Sequence, residues 1–362
     1  LTHSFECNIP FDVVFDEEVE WVKLKETKSE DGQFKMVFEL QPNTGEFFNR
    51  TKLRLENEVL GLSFPLSLSQ MYKTYDGHTV IWKKPTYNDP FASVPDFQRI
   101  TFNFILIGDG FTKEEIESGV YDLYCQEAME GMESLEPFKT YSERFGFILL
   151  HAESAESGCT DYNATYGGPK VVDTRFKCSY DEFGSGMNCD YTAIQEFVKT
   201  SIEGAGLDYI PTQDVVIVMA NGKRYGGVAN LTKSGEGVAI CPVSEEPFPN
   251  NFVQILRHEA GGHAFGKLAD EYSFGGPIDA STASYLKSWQ DAGMYLNVSM
   301  SSTEFPQPWQ ELKDRGKISD VYVGGFSCSG GVWRSSENSL MKGMDEGFNI
   351  LSRYLIYLRM KN

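Results

Sequence analysis

Leu256-Arg257-His258-Glu259-Ala260-Gly261-Gly262-His263-Ala264-Phe265-Gly266-Lys267-Leu268-Ala269-Asp270-Glu271-Tyr272 is the stretch on which the reading turns, because it gathers two of the chain's five histidines beside a pair of carboxylates. Zinc bound for hydrolysis takes three protein ligands and leaves a fourth position for water, and its usual helical pair is spaced H-E-x-x-H. Here the spacing is H-E-x-x-x-H. On a regular α-helix of 3.6 residues per turn, positions five apart stand about 140° apart, too far for both imidazoles to share one ion. A π-bulge adds one residue to a turn, makes i and i+5 neighbours and restores the shared face, and such bulges are frequent at functional sites. Gly261-Gly262 is the expected place for it, since two glycines carry no side chains to crowd a widened turn and would otherwise only weaken the helix.

The residues beyond the second histidine narrow the possibilities. Gly266 lies three residues after His263, as in the pattern H-E-x-x-H-x-x-G-x-x-H, where the glycine turns the chain back to deliver a third ligand. Asp270 falls one position later than that ligand would. The remaining histidines are His3, His78 and His151, all upstream, so a carboxylate is the expected third ligand: Asp270, with Glu271 as the alternative. A bland reading exists, a glycine-rich amphipathic helix with two ordinary histidines and a capping aspartate. The ordered recurrence of His-Glu, His, Gly and Asp weighs against it. Farther on, Asn338-Ser339-Leu340-Met341 is similar to the methionine turn that lies under the metal in metzincins. One methionine among eleven means little alone; beside the histidine stretch it gains weight.

Further blocks join these in order: Leu106-Ile107-Gly108-Asp109-Gly110-Phe111-Thr112, Glu136-Pro137-Phe138, Glu156-Ser157-Gly158, Asp214-Val215-Val216-Ile217-Val218, Tyr225-Gly226-Gly227, Pro308-Trp309 and Phe348-Asn349. Over most of residues 96 to 362 the chain thereby resembles the IgA-peptidase family of zinc metallopeptidases, named for a bacterial member that cleaves immunoglobulin A. The family's usual motif is H-E-x-G-H before the Leu-Ala-Asp-Glu-Tyr block, so the extra residue between His258 and His263 is a departure that bears on ligand geometry. The resemblance implies an α/β (α+β) zincin or metzincin-like catalytic domain with a mixed sheet and an active-site helix. It also implies a Zn2+ cofactor and a protein or glycoprotein substrate, and does not choose among hinge peptides, mucins and other glycoproteins.

Residues 1–92 read as a separate all-β domain. Phe34, Met36, Phe38 and Leu40 alternate with polar residues after the turn at Asp31-Gly32, and Leu60, Leu62, Phe64, Leu66 and Leu68 alternate again. An immunoglobulin-like sandwich is expected, as the family's N-terminal extensions imply. His78 beside Gly77 reads as a turn residue. Pro85, Pro90 and Pro95 mark the linker to a catalytic domain over 96–362.

From Ile100 strands alternate with helices. Phe102 to Ile107 reads as a strand, and Thr112 with Glu115 is a capping-box signature for a helix carrying Ile116, Val120, Tyr124 and Ala128. Phe145 to Leu150 and Asp214 to Met219 read as strands and Tyr191 to Ile202 as a helix, which together predict a mixed, largely parallel sheet. Asp109 is read as ordering the turn into the helix rather than touching substrate or a second cation. Of the segments Tyr225-Gly226-Gly227-Val228-Ala229 and Gly237-Val238-Ala239-Ile240-Cys241, one is expected to be the edge strand that pairs with extended substrate. Residues 275–335, rich in Gly, Ser and Pro, carry Trp289, Trp309 and Trp333, each read as core, and Phe348 to Met360 closes the chain as an amphipathic helix with Ile350, Leu351, Tyr354, Leu355 and Leu358 on its packing face.

A net charge of −20 over 362 residues argues against a nucleic-acid or anionic-membrane surface, and no apolar run approaches the roughly 20 residues of a transmembrane helix. Seven cysteines without a C-x-x-C pair leave at least one thiol unpaired; one disulfide is open among Cys159, Cys178 and Cys189, against buried thiols as the alternative. Position 1 is Leu and no signal peptide is visible, which fits a processed, exported bacterial protein, secreted, periplasmic or at the cell surface. The chemistry expected is metal-activated water attacking a peptide bond. His258, His263 and Asp270 hold zinc, Glu259 acts as general base, and Tyr272 or Arg334 steadies the developing oxyanion. No G-x-S-x-G elbow supports a serine nucleophile. The competing expectation is a catalytically inactive relative that binds an extracellular protein or glycan, against which the retained Glu259 argues.

Overall fold

The computed structural model describes residues 2–7, 9–30, 32–41, 49–70, 79–83, 101–163 and 169–361. The expected linker at Pro85, Pro90 and Pro95 and the turn at His78 lie outside them. Two compact units are present, Leu1–Thr74 with Val80–Trp82 and Tyr75–Thr79 with Lys83–Asn362.

In the first unit β1 (Thr2–Glu6), β2 (Asp12–Phe15), β3 (Val22–Glu30), β4 (Gln33–Leu40), β5 (Asn49–Asn57) and β6 (Leu62–Gln70) form two three-stranded antiparallel sheets, ordered β1-β4-β3 and β2-β5-β6. Period-2 alternation turns Phe34, Met36 and Phe38 of β4 inward to a cluster with Phe11, Val22, Leu53 and Leu55. The second alternating run is less regular than its sequence suggests. Leu60 lies in the turn before β6, and Phe64, on an edge strand opposite Leu55, stays 48 % exposed.

In the second unit β7 (Thr79–Lys83) falls across the division, and β8 (Phe102–Asp109) is the first strand wholly inside it. The capping box forms as predicted, with Thr112 and Glu115 bonded reciprocally, but the helix it starts, α1 (Lys113–Glu117), ends after five residues. Gly119, at φ +82°, breaks the run and reorients the following α2 (Val120–Glu133). Its buried face is Tyr121, Cys125, Ala128, Met129 and Met132, so of the expected face only Ala128 is buried in α2, and Val120 is exposed. There follow β9 (Phe145–Leu150), the short pair β10 (Ser179–Tyr180) and β11 (Met187–Asn188), α3 (Tyr191–Gly204), β12 (Val215–Ala220), β13 (Val228–Leu231) and β14 (Gly237–Pro242). The chain continues through α4 (Phe252–Leu256), a π-helix (Arg257–Phe265), α5 (Ala280–Gln290), β15 (Val298–Ser299), α6 (Gln307–Asp314), β16 (Tyr322–Gly325), β17 (Cys328–Arg334) and α7 (Ile350–Lys361).

Within the unit the sheet runs β13-β14-β12-β8-β9, with β14, β12, β8 and β9 parallel and β13 antiparallel. It is the mixed sheet expected, and its parallel strands are apolar almost throughout because both faces are covered. Ile105, Ile107, Val216 and Val218 meet Ile194, Val198 and Ile202 of α3 on one face. On the other, Phe102, Phe104 and Phe145 pack edge-on or tilted against Phe265 of the π-helix, with Phe138 beside them. Trp289 and Trp309 are buried, and α7 packs through Leu351, Leu355, Ile356 and Met360, with Ile350 turned to solvent.

Asp109 takes a different role from the one expected. Its buried carboxylate accepts from the backbone N–H of Phe176 (2.7 Å) and Cys178 (2.9 Å), anchoring the loop that carries the Cys178–Cys189 disulfide. Cys159 is a free buried thiol. Among the described residues no helix is long and apolar enough to cross a membrane.

Candidate metal centre

The helix of the histidine stretch begins as ordinary α-helix, with Asn251 capping the Gln254 N–H, and converts to π-helix over Arg257–Phe265. The Gly266 N–H reaches the Gly261 carbonyl at 3.0 Å, an i to i−5 bond. The one-residue bulge expected at Gly261-Gly262 is therefore a longer widened stretch with those glycines inside it. Packing explains why both are glycine. A Cβ on Gly262 would stand 2.3 Å from the sulfur of Met341, and one on Gly261 would press on Met132 and Phe138 at 3.2 Å. Met341 is fully buried, so the helix and the methionine turn touch through a missing side chain.

The widened turn does what the spacing required. His258 Nε2 and His263 Nε2 stand 3.1 Å apart, and Asp270 Oδ1 lies 3.1 and 3.2 Å from them. Each imidazole has its other nitrogen on a backbone carbonyl, His258 Nδ1 on Leu340 (3.0 Å) and His263 Nδ1 on Leu268 (2.7 Å). A carbonyl only accepts, so both Nδ1 atoms carry hydrogen and in the neutral rings both Nε2 lone pairs face the carboxylate. Asp270 Oδ1 is accordingly buried with no hydrogen bond, although two nitrogens lie close to it. Three lone pairs converging at this distance repel unless a cation or a proton sits among them. Burial disfavours a charged His263, but the Asp270 carboxylate outweighs it and raises the imidazole pKa to about 9. Burial likewise works against the Asp270 charge, yet the two imidazoles hold its carboxyl well below the usual range.

The triangle matches a metal-ligand set. Ligands about 2.0–2.1 Å from a tetrahedral ion stand roughly 3.3 Å from one another, close to the edges seen here. Two imidazoles and a carboxylate are a donor set common to hydrolytic metals, and the carbonyl behind each imidazole fixes its ring as such sites require. Tyr272 completes the surround: its hydroxyl donates to Asp270 Oδ2 at 2.9 Å, leaving Oδ1 turned to the histidines.

Glu271, the alternative ligand, points the other way. Successive residues of an extended segment face opposite sides, and the Glu271 carboxylate is fully buried among Ser339 Oγ (2.6 Å), Asn297 Nδ2 (3.0 Å) and Asn349 Nδ2 (3.1 Å), all donors. Its backbone N–H also donates to the Met341 carbonyl at 2.7 Å. Glu271 thus ties the histidine segment to the turn whose Leu340 carbonyl orients His258.

Glu259 is buried beside the histidines, and burial raises its carboxyl pKa. Among the described residues the carboxylate accepts no hydrogen bond, which leaves both oxygens for a ligand. Gly227, at φ +147°, lies against it: a Cβ there would be 3.0 Å from Oε1. Tyr225, Gly226 and Gly227 form the loop leading into β13 rather than strand, held by the Tyr225 N–H on Glu246 (2.7 Å) and the Gly227 N–H on the Ser185 carbonyl (2.9 Å). Of the two segments considered for an edge strand, β14 is interior and β13 is the edge. Arg334 is not brought to the centre. Its Nη1 donates to the carbonyls of Val323 and Gly324 in the β15-β17-β16 sheet.

Sequence reasoning missed the carbonyls of Leu268 and Leu340 and the side chain of Asn297, which also brackets Ala269 through its N–H and carbonyl, both at 2.8 Å. A carbonyl is offered by every residue, so no sequence signal marks the two that matter.

The family model for IgA peptidase M64 matches residues 92–318, more than half of the 362-residue chain. That span holds the whole histidine stretch and Asp270 and stops short of Ser339-Leu340-Met341. No curated protein matches the chain.

Proposed function

The chain belongs to the IgA peptidase M64 family, so it is a metallopeptidase, and on that premise we propose that it is a zinc-dependent endopeptidase of protein or glycoprotein substrates in which His258, His263 and Asp270 hold the ion. The observation that carries this is the triangle of His258 Nε2, His263 Nε2 and Asp270 Oδ1, three ligand atoms converging with edges of 3.1, 3.1 and 3.2 Å. A bound zinc ion supplies a lowered pKa for water, from about 15.7 toward 7, and polarisation of the scissile carbonyl.

The chain's own residues supply the rest. Glu259, free of hydrogen bonds from described residues and with its pKa raised by burial, takes the proton from water and returns it to the leaving amine. Tyr272 fixes which oxygen of Asp270 faces the imidazoles. The free edge of β13 offers backbone groups to an extended peptide, and Gly227 lets that peptide lie close to Glu259. Arg334 is withdrawn as an oxyanion partner because its guanidinium is bound elsewhere, and Tyr225, half-buried near Glu259 and Asp270, takes that place in the proposal. Peptidase membership does not favour the non-cutting alternative. An exported location remains part of the proposal, and the Cys178–Cys189 disulfide supports an oxidising compartment.

Elemental analysis of protein purified without chelator, beside His263→Ala, tests the centre. About one zinc per chain, absent from the variant, is the expected result. A wild type that holds no zinc after reconstitution overturns the proposal.

A further inference from the structure

Phe274 is 85 % exposed, four residues beyond Asp270. Single apolar residues on a surface are ordinary; the frame around this one is not. Its ring stacks on Tyr272 at 4.7 Å with 25° between planes, and the Tyr272 hydroxyl is the one bonded to Asp270. The ring is thus one side chain removed from the candidate ligand. The backbone beneath it is clamped. The N–H groups of Phe326 and Ser327 donate to the carbonyls of Asp270 (2.8 Å) and Tyr272 (3.1 Å), and those of Phe274 and Gly275 return to Ser327 (3.3 and 2.8 Å).

The clamping turn is itself strained. Phe326 and Ser327 have φ of +52° and +60° between the paired Gly325 and Cys328, a conformation for which Asn-Gly is the usual sequence. Two L-residues with side chains persist there only because the surrounding contacts fix them. The result is a rigid platform that presents an aromatic face to solvent beside Asp270. A peptide whose scissile bond lies at Glu259 and Asp270 has this platform as its neighbour, because the Tyr272 hydroxyl is bonded to Asp270.

We propose that the Tyr272–Phe274 stack is the apolar wall of a substrate pocket at the centre, so that the enzyme selects a bulky apolar residue, Phe or Leu, within two positions of the scissile bond. This rests on the peptidase reading for its substrate but not for its test. Rigid aromatic area already placed binds an apolar side chain at little ordering cost, and discrimination against a residue lacking that side chain runs to about 10- to 100-fold.

The experiment uses the full chain carrying Glu259→Gln, which binds without cutting. Fluorescein-labelled Ala-Ala-X-Ala-Ala-Ala peptides with X as Phe, Leu or Gly are titrated by polarisation, with and without Phe274→Ala. The expected result is Phe and Leu peptides bound about tenfold or more tighter than Gly, with that preference lost on Phe274→Ala while zinc content and Tm stay those of the parent. Equal binding of all three peptides, no binding of any, or a preference that survives Phe274→Ala overturns the proposal. Absence of zinc and of cleavage in the wild type overturns the peptidase reading instead, and the binding series still decides the pocket.

Discussion

Replacing Glu271 by Ala tests whether the centre is built from behind as well as from its ligands. Three donors converge on this carboxylate, from Ser339, Asn297 and Asn349. Hydrogen bonds to a charged group contribute about 1.5–3 kcal/mol each, so the gross loss is on the order of 4–9 kcal/mol. The carboxylate also carries a desolvation cost, visible in the upward shift that burial gives its pKa, and the variant recovers it. Asn297 and Asn349 keep second partners in Ala269 and Ser336, whereas Ser339 Oγ has no other bond among the described residues. The net destabilisation is then about 3 kcal/mol, which for a unit of this size lowers Tm by roughly 6–12 °C. The local effect is sharper, because the Leu340 carbonyl that orients His258 sits in the turn Glu271 holds. Loss of such an outer partner costs about 10- to 100-fold in metal affinity. The assay is zinc competition against a chromophoric chelator beside a thermal melt. Glu271→Gln, which keeps volume and one acceptor, should fall between parent and Ala variant. Zinc affinity within about threefold of parent and an unchanged Tm in Glu271→Ala would refute the role assigned to this carboxylate.

Glu259→Ala should lower kcat by about 10²–10⁴ while zinc remains at parental stoichiometry; residual activity near parental would move the base elsewhere. Deleting Gly262 should convert the π-helix to α-helix, leave the histidines four apart and preserve zinc binding, read by metal analysis and a crystal structure. A deletion variant that folds but holds no zinc would contradict the reading that the widened helix serves to bring His258 and His263 to one face. Gly262→Ala is expected to destabilise by about 1–3 kcal/mol through overpacking against Met341, measured by urea unfolding. Lys267, buried with its Nζ donating to the Ala264 carbonyl, has its pKa lowered to about 6 by burial and then by Arg359. A lysine whose folded pKa is depressed favours the neutral form, so stability falls as pH drops from the unfolded value near 10.5 toward 6. Lys267→Met removes that penalty, and its advantage over parent should grow by roughly 2.7 kcal/mol between pH 9 and pH 7. Parallel pH–stability curves for the two proteins would count against it.

The order of residues was enough to determine the local things. Alternation placed Phe34, Met36 and Phe38 in one core, apolar runs located β8, β9 and β12, and Thr112 with Glu115 marked a helix start, because each is set by neighbours within a few positions. The five-residue histidine spacing is likewise a local constraint: a helix that brings His258 and His263 to one point must be widened there, and Gly261-Gly262 is where it can be. Local reasoning overran where a single backbone state intervened, as at Gly119, which ended a helix whose periodicity ran on through Val120 and Tyr124. Only the tertiary structure decided between Asp270 and Glu271. Both are acidic and adjacent, and which one faces the histidines depends on Asn297, Ser339 and Asn349 arriving from distant parts of the chain to receive the other. The same holds for Arg334, drawn to the carbonyls of β16, and for the carbonyls of Leu268 and Leu340, since orientation is settled by long-range contacts whose partners no short window of sequence contains.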